Sequence, residues 1–107
     1  MKILIIGSTT YLDSMIKYKD RRILLLNGDE IRIAEFDSFK GSEYAMCSLN
    51  RSNIEWADEI HILWDGRSTG TIFDIGMCFA LRKKIKIVYL ESKSFINFVK
   101  EFEKRGS

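Results

Sequence analysis

The sequence predicts an α/β fold in which helices cover both faces of a small, doubly wound parallel sheet. Short apolar runs rich in β-branched residues alternate along the chain with longer segments whose apolar residues recur at helical spacing. Such alternation is typical of parallel strands joined by right-handed crossover helices. About four strands are predicted, in the order 2-1-3-4 found in flavodoxin-like members of the Rossmann-like folds.

The first strand and the first helix are predicted in the N-terminal quarter of the chain. Ile3–Ile6 is a continuous apolar run that ends at Gly7, which suits a strand buried on both faces. From Leu12 to Leu26, apolar residues recur at helical spacing. Asn27-Gly28 then provides the residue types at which helices commonly end.

The second strand is predicted near an edge of the sheet. Ile31–Phe36 (IRIAEF) alternates in polarity, as a strand with one more polar face does. Residues 37–42 form a loop, and apolar positions between Tyr44 and Ala57 then share one helical face. The second helix is therefore expected over these positions.

The second half of the chain repeats the strand and helix order. Ile60–Trp64 is the third predicted strand, Thr71–Lys84 the third helix and Lys86–Leu90 the fourth strand. Gly76 inside the third helix indicates a close approach to the sheet or to a neighbour. The last helix is amphipathic at a period of 3.6, with its apolar face at Phe95, Phe98, Val99 and Phe102.

Composition indicates one ordinary globular domain. With 107 residues, 46% of them hydrophobic and 30% charged, residues 1–107 can bury a single core and differ from disordered or fibrous chains. The net charge is only +2. The one basic cluster in the sequence (Arg82, Lys83, Lys84 and Lys86) falls where the third helix should end, and cations there complement the helix dipole. Nucleic acid is therefore not expected as a partner.

No part of the sequence indicates export, a membrane or a metal. The apolar run near the N-terminus is short, and no stretch approaches the roughly 18 apolar residues of a membrane span, so a cytoplasmic location is expected. Cys47 and Cys78 lie in predicted helices without metal or disulfide spacing, as buried thiols do. The single histidine, His61, lies in the middle of a strand, which favours a packing or hydrogen-bonding role.

Two polar loops are predicted to form a binding site. In open α/β sheets, ligands bind beyond the carboxyl ends of the strands, where neighbouring connections diverge. This rule selects the loops after the first and third strands, in which glycines allow close approach and hydroxyl groups offer hydrogen bonds. The predicted substrate-binding residues are Gly7, Ser8, Thr9 and Tyr11 in the first loop and Gly66, Ser68, Gly70 and Thr71 in the second.

Two carboxylates accompany the second loop. Asp65 follows the third strand directly, where it either binds a sugar hydroxyl or a base, or only initiates a turn. Asp74 is placed in the first turn of the next helix, where the dipole should favour the ionised form that attack on a sugar carbon requires. Alternatively, Thr71 and Asp74 form a capping box. The start of this helix also suits a phosphate or another anion.

Known phosphate-binding motifs are absent from both loops, and a different pattern is present. Neither GxGxxG nor GxxxxGK[ST] occurs, which disfavours a standard dinucleotide fold or P-loop. Residues 57–66 read ADEIHILWDG, residues 68–76 read STGTIFDIG, and AL (80–81) and KI (84–85) follow. Over residues 57–88, and less closely over 1–11, the chain resembles the nucleoside 2-deoxyribosyltransferases and the related nucleoside 5′-monophosphate N-glycosidases.

The resemblance implies a role for individual residues. In that superfamily the loop [D/S]xGTxxExG carries a glutamate that attacks the anomeric carbon, and Asp74, one methylene shorter, occupies its position. The resemblance implies that Asp65 holds the sugar or base and that Ser68 contacts a 5′-phosphate, as a serine does in the glycosidase branch. Gly7-Ser8 would help to hold the phosphate, and Tyr11 would close over the sugar. No metal or organic cofactor is implied.

The sequence therefore predicts an enzyme that cleaves or exchanges the N-glycosidic bond of a nucleoside or nucleoside 5′-monophosphate. One alternative is a non-catalytic nucleotide-binding or sensing module with the same pocket. A second is a stand-alone interaction domain in which the loop is only structural. The small sheet and the many large apolar residues on the helices indicate a homodimer or higher homo-oligomer.

Overall fold

The computed structural model, which describes residues 1–25, 28–35, 40–91 and 96–106, confirms the predicted fold class. The strands are β1 (Lys2–Gly7), β2 (Glu30–Ile33), β3 (Glu59–Trp64) and β4 (Lys84–Leu90). All are parallel, and they form one sheet in the order β2-β1-β3-β4. The helices are α1 (Leu12–Leu25), α2 (Glu43–Trp56), α3 (Thr69–Ala80) and α4 (Ile96–Arg105).

The central strands β1 and β3 are buried on both faces, which explains their continuous apolar sequences. Because side chains alternate along a strand, Ile3 and Ile5 pack with Met15 of α1 on one face, and Leu4 and Ile6 belong to the opposite face. That opposite face holds the larger core. Its helical members are Ile54, Ile75, Cys78, Val99 and Phe102. The sheet therefore carries α1 on one side and α2, α3 and α4 on the other.

Helix α3 lies closer to the N-terminus than its predicted range of Thr71–Lys84. It spans Thr69–Ala80 and ends in a turn in which the Lys83 amide donates to the Cys78 carbonyl at 2.9 Å. Arg82, with φ of 56°, occupies the left-handed position that terminates such a helix. Arg82 and Lys83, which had suggested a longer helix, therefore lie between α3 and β4.

The basic cluster consequently lies beyond α3, and the prediction that it caps this helix is wrong. Lys83 instead reaches the carboxyl end of α2, where its Nζ donates to the carbonyls of Glu55 and Ala57, both at 2.9 Å. Lys84, in β4, lies 3.6 Å from the Glu59 carboxylate. A cation still complements the carbonyl end of a helix, but the helix is the neighbouring one.

Gly76 does not approach the sheet, so the prediction of a close helix-to-sheet contact at this residue is wrong. The residue is exposed, and a Cβ built on it would meet no atom within 4 Å outside its own helix backbone and chain neighbours. Helix α3 packs on the core through Ile75 and Cys78 instead.

The remaining boundaries lie close to their predicted positions, although some fall outside the described residues. Helix α1 is described as far as Leu25, and β2 spans Glu30–Ile33. The prediction that the second strand reaches Phe36 is wrong, because β2 ends at Ile33 and the backbone of Glu35 bonds to the Asn50 side chain of α2. The predicted positions Leu26, Asn27, Phe36 and Phe95 and the loop residues 37–39 lie outside the described part of the chain. No described helix is both long and apolar enough to cross a membrane.

Candidate functional site

A crevice of about 320 Å³ opens beside the carboxyl ends of β1 and β3. Its volume is at the lower end of the range for small-molecule pockets. On one side it is lined by residues of the β1 loop and the start of α3, and on the other by residues that follow β2 or belong to α2. The lining residues are Gly7, Thr9, Glu35, Glu43, Met46, Cys47, Asn50, Ser68, Thr69, Gly70, Thr71, Phe73 and Asp74.

The end of β1 is packed so closely against β3 that only glycine fits at position 7. A Cβ on Gly7 would collide with the backbone carbonyl oxygen of Leu63 and would lie 2.9 Å from the Met15 sulfur. The next residue, Ser8, is 1% exposed. Its amide donates to the Leu63 carbonyl, and its Oγ accepts from the Asp65 amide, both at 3.0 Å. Ser8 therefore joins the two loops and does not line the crevice.

Asp65 shapes the loop after β3. Its Oδ1 accepts hydrogen bonds from the amides of Arg67 at 2.8 Å and Ser68 at 2.9 Å. Desolvation would raise the pKa of Asp65, but these amide hydrogen bonds and the one to Ser8 outweigh it and hold the pKa below its usual value. Gly66 has φ of 76°, a left-handed conformation that favours glycine. Neither Asp65 nor Gly66 lines the crevice.

Ser68 caps α3, so the predicted capping box of Thr71 and Asp74 is wrong. The Ser68 Oγ accepts from the Thr71 amide at 3.4 Å and from the Thr71 hydroxyl at 3.1 Å. The buried indole of Trp64 donates to the Ser68 carbonyl at 3.2 Å and holds the cap against the core. The amides of Thr69 and Gly70, which open the helix, have no hydrogen-bond acceptor among the described residues. Unpaired amides at a helix start can receive an anionic or hydroxyl oxygen.

Asp74 lines the crevice one turn further along α3. It is the sixth residue of the helix and only 7% exposed, and no described residue donates a hydrogen bond to its carboxyl group. Burial raises the pKa of Asp74 to about 7. The prediction that the helix dipole favours its ionised form is wrong, because the residue lies beyond the first turn and desolvation dominates. Near neutral pH it can act either as a nucleophile or as a proton donor.

The two cysteines differ in their surroundings. Cys78, one turn after Asp74, is fully buried, which confirms the prediction of a buried thiol. Burial and the nearby Asp74 charge raise the pKa of Cys78 to about 12, so it stays protonated at neutral pH. Cys47 is only partly buried and lines the crevice, so for this residue the prediction is wrong.

Tyr11 is held at the end of β4, away from the crevice. Its hydroxyl donates to the Glu91 carboxylate, and its ring meets Tyr89 edge-on with centroids 5.1 Å apart. The hydrogen bond to Glu91 raises the pKa of Tyr11. Closure over the crevice would require Tyr11 to leave both contacts.

The α2 side of the crevice was not identified from the sequence. Asn50 is buried on α2, where its Oδ1 accepts from the Glu35 amide at 2.9 Å and its Nδ2 donates to the Glu35 carbonyl at 3.3 Å. This clamp places Glu35 at the crevice, and Glu43 in the first turn of α2 lies there as well. One signal was available, because Asn50 is a polar residue on the apolar face that also contains Cys47 and Ile54.

His61 is confirmed as a packed, hydrogen-bonded residue of the sheet. It is 0% exposed, and its Nδ1 lies 2.7 Å from the Tyr18 hydroxyl. Its Nε2 lies 2.7 Å from the Glu59 carboxylate. These contacts are on the α1 face of the sheet, whereas the crevice is on the side of α2 and α3.

A second groove and the possibility of a metal site were the other candidates in the described part of the chain. A larger groove of about 1070 Å³ between the end of α3 and α4 is lined mainly by Phe79, Phe98 and Phe102 and by the ion-paired Glu101 and Arg105. It contains no buried carboxyl group. Within the described ranges, no group of three or more His, Cys, Asp or Glu side chains is arranged to hold a metal ion.

The sequence and the fold were compared with those of known proteins. Comparison with protein-family models, with curated proteins and with solved structures returned no significant match. The resemblance of residues 57–88 to the nucleoside 2-deoxyribosyltransferases therefore stays a prediction from the sequence.

Proposed function

We propose that the protein cleaves or exchanges the N-glycosidic bond of a nucleoside or nucleoside 5′-monophosphate, with Asp74 as the nucleophile. The observation that supports this most is the state of Asp74, a carboxyl group that is buried at a crevice and receives no hydrogen bond from the described residues. No buried side-chain polar atom of the described residues lacks a hydrogen-bond partner, so the carboxyl oxygens of Asp74 are accessible from the crevice. A carboxylate that is accessible and has no protein partner keeps its lone pairs for a bound electrophile.

The chemistry follows from the ionised form of Asp74. One carboxylate oxygen attacks the anomeric carbon, the bond from this carbon to the base nitrogen breaks, and the base leaves with the bonding electrons and takes up a proton from solvent. The sugar is then attached to Asp74 as an ester. Water or a second base bonds to the same carbon, loses its proton to solvent and displaces the carboxylate. Positive charge develops on the sugar in both steps, and a desolvated carboxylate stabilises it strongly.

The start of α3 is suited to hold the 5′ end of the substrate. The unpaired amides of Thr69 and Gly70 and the hydroxyl of Ser68 lie on the same side of the crevice as Asp74. Gly7 and Thr9 complete this side with backbone and a hydroxyl group. In this proposal Asp65 and Ser8 are positioning residues, because their hydrogen bonds hold the two loops together.

The test is a panel of ribonucleosides, deoxynucleosides and their 5′-monophosphates, each incubated with and without a free acceptor base. Chromatography should show base release or exchange for at least one substrate. Asp74→Asn should lower the rate about a thousandfold or more, because it removes the nucleophile. The rate of the wild-type protein, as kcat/KM, should rise with pH through about 7, where Asp74 ionises.

The matched control is Asp20→Asn, which alters an exposed carboxylate on α1 and should leave the rate unchanged. Unchanged substrate across the panel, or full activity in Asp74→Asn, would contradict the proposal.

A second candidate is a binding or sensing module that uses the same crevice without turnover. It is favoured by the pKa of about 7 for Asp74, since a substantial fraction of the carboxyl groups is then protonated and non-nucleophilic at neutral pH. Thermal stabilisation by a nucleoside, without base release at any pH between 6 and 9, would support this candidate over the enzyme.

A further inference from the structure

The two sides of the crevice differ in the groups they offer to a ligand. The α3 side presents unpaired backbone amides, the Ser68 hydroxyl and Asp74. The α2 side presents the carboxylates of Glu35 and Glu43, both of which are exposed to solvent. Neither glutamate forms an ion pair with another residue of the described ranges. Both are therefore open to a ligand that enters the crevice.

The charged side chains that line the crevice are all acidic. Three carboxyl groups line the crevice, and its described lining includes no lysine or arginine. The start of α3 contributes a positive potential equivalent to only about half an elementary charge. A 5′-phosphate would add a charge of about −1.5 to −2 among these carboxylates. An uncharged 5′-hydroxyl can use the same free amides without this repulsion.

Carboxylates also impose a pattern on the rest of the ligand. An ionised carboxylate only accepts hydrogen bonds, so its partner must be a donor. An exocyclic amino group of a base is such a donor, whereas a carbonyl oxygen at the same ring position would face a second acceptor. Sites that require a hydrogen bond reject ligands that lack the matching group.

We propose that Glu35 and Glu43 are the specificity-determining residues of the crevice and select an uncharged nucleoside whose base carries an amino group. The inference rests on the proposed function for its nucleoside ligand, and it goes further by excluding the 5′-monophosphate and by naming the side chains that contact the base. The base lies on the α2 side, and the sugar lies between it and Asp74.

The test measures binding to Asp74→Asn, which holds ligands without consuming them. Dissociation constants are determined by calorimetry for three comparisons: deoxycytidine against deoxyuridine, deoxyadenosine against deoxyinosine, and each amino-bearing nucleoside against its own 5′-monophosphate. For at least one amino-bearing nucleoside, affinity should be about tenfold or more higher than for its carbonyl counterpart and for its monophosphate. Salt at about 0.5 M should narrow only the gap to the monophosphate, because screening weakens charge repulsion.

Glu35→Gln and Glu43→Gln are each added to Asp74→Asn. In at least one of these variants, the affinity difference from the carbonyl counterpart and the affinity difference from the monophosphate should both fall to about threefold or less. A glutamine amide carries no charge and can either donate or accept. Asp20→Asn in the same background is the control and should leave both gaps unchanged. Both glutamates are exposed, so thermal unfolding should confirm that these variants fold like their parent.

The outcomes separate this inference from the proposed function. Monophosphates that bind as tightly as nucleosides, or gaps that persist in both glutamine variants, would overturn the inference even if the wild-type protein releases base. Amino-selective binding without base release would support the inference and contradict the enzymatic proposal. No binding of any nucleoside to Asp74→Asn would overturn the inference, and it would overturn the proposed function as well only if the wild-type protein also releases no base.

Discussion

His61 and Asp74 are both buried and ionisable, but their surroundings are opposite. His61 faces α1, and both of its ring nitrogens have partners, the Tyr18 hydroxyl and the Glu59 carboxylate. Asp74 faces the crevice, and none of the described residues donates a hydrogen bond to it. A buried polar group with complete partners stabilises the fold, whereas one without partners costs stability. The difference separates a structural residue from a candidate for binding or catalysis.

The two residues should also give stability an opposite dependence on pH. Burial lowers the pKa of His61 and outweighs the opposing effect of Glu59, so the folded state favours the neutral ring. Its contribution is present above the ordinary pKa of 6.5 and is lost as the pH falls below it. Burial raises the pKa of Asp74 from 3.8 to about 7, so its folded form retains the proton and stability falls as the pH rises through this range.

The largest expected effect comes from Asp74→Asn. At pH 8 the wild-type protein keeps a desolvated negative charge, and its removal should raise the free energy of unfolding by on the order of 3–4 kcal/mol. At pH 4 the wild-type carboxyl group is protonated, and the variant should differ little from it. Urea unfolding at both pH values, with Asp20→Asn as the control, measures the difference. Equal stability of the variant and the wild-type protein at pH 8 would show that the buried charge of Asp74 does not destabilise the fold.

His61→Leu should have an effect of opposite sign. The substitution fills a similar volume but removes the histidine partner of the Tyr18 hydroxyl and leaves the Glu59 carboxylate with Lys84 alone, so we expect a loss of about 2–3 kcal/mol at pH 8. Urea unfolding at pH 8 provides the value. Adding Tyr18→Phe should cost less in this background than in the wild-type protein, because its partner is already absent. A His61→Leu variant as stable as the wild-type protein would show that the network contributes nothing.

Ser8→Ala is expected to have the smallest effect, a loss of about 1–2 kcal/mol, because it removes the buried acceptor of the Asp65 amide. Ser14→Ala on the exposed side of α1 is the control. The measurement distinguishes two roles of Ser8, the predicted contact with substrate and the hydrogen bond that joins the two loops. A direct ligand contact would raise KM and leave the urea midpoint unchanged, whereas loss of the bridge lowers the midpoint.

The sheet could be predicted from the sequence because its signals are local. Ile3–Ile6 and Ile60–Trp64 are continuously apolar since both faces of these strands are covered, and that pattern indicates a central position. The end of α3 could not be predicted in this way. It depends on the left-handed Arg82 and on Lys83, which reaches the carbonyls at the end of α2. Contacts between elements distant in the sequence determine this boundary.

At the candidate site, too, local sequence patterns identified some residues, but contacts between distant residues could not be predicted. Ser68, Gly70, Thr71 and Asp74 were selected from their loop and helix, and all four line the crevice. Ser8 and Asp65 were selected on the same grounds, but their hydrogen bond spans 57 positions and a local pattern does not contain it. The ionisation of Asp74 depends on burial, which only the packed structure determines. Glu35 and Glu43 were missed because no local motif marks them.

The clamp between Asn50 and Glu35 has a consequence for how ligand preference can change over time. Asn50 holds position 35 through the backbone amide and carbonyl, which every residue type except proline possesses. The side chain at this position takes no part in the clamp. A single codon change can therefore exchange the chemical group presented at the crevice while the backbone stays in place. Position 35 combines a fixed location with a replaceable side chain, and new ligand preferences can arise there at little cost to folding.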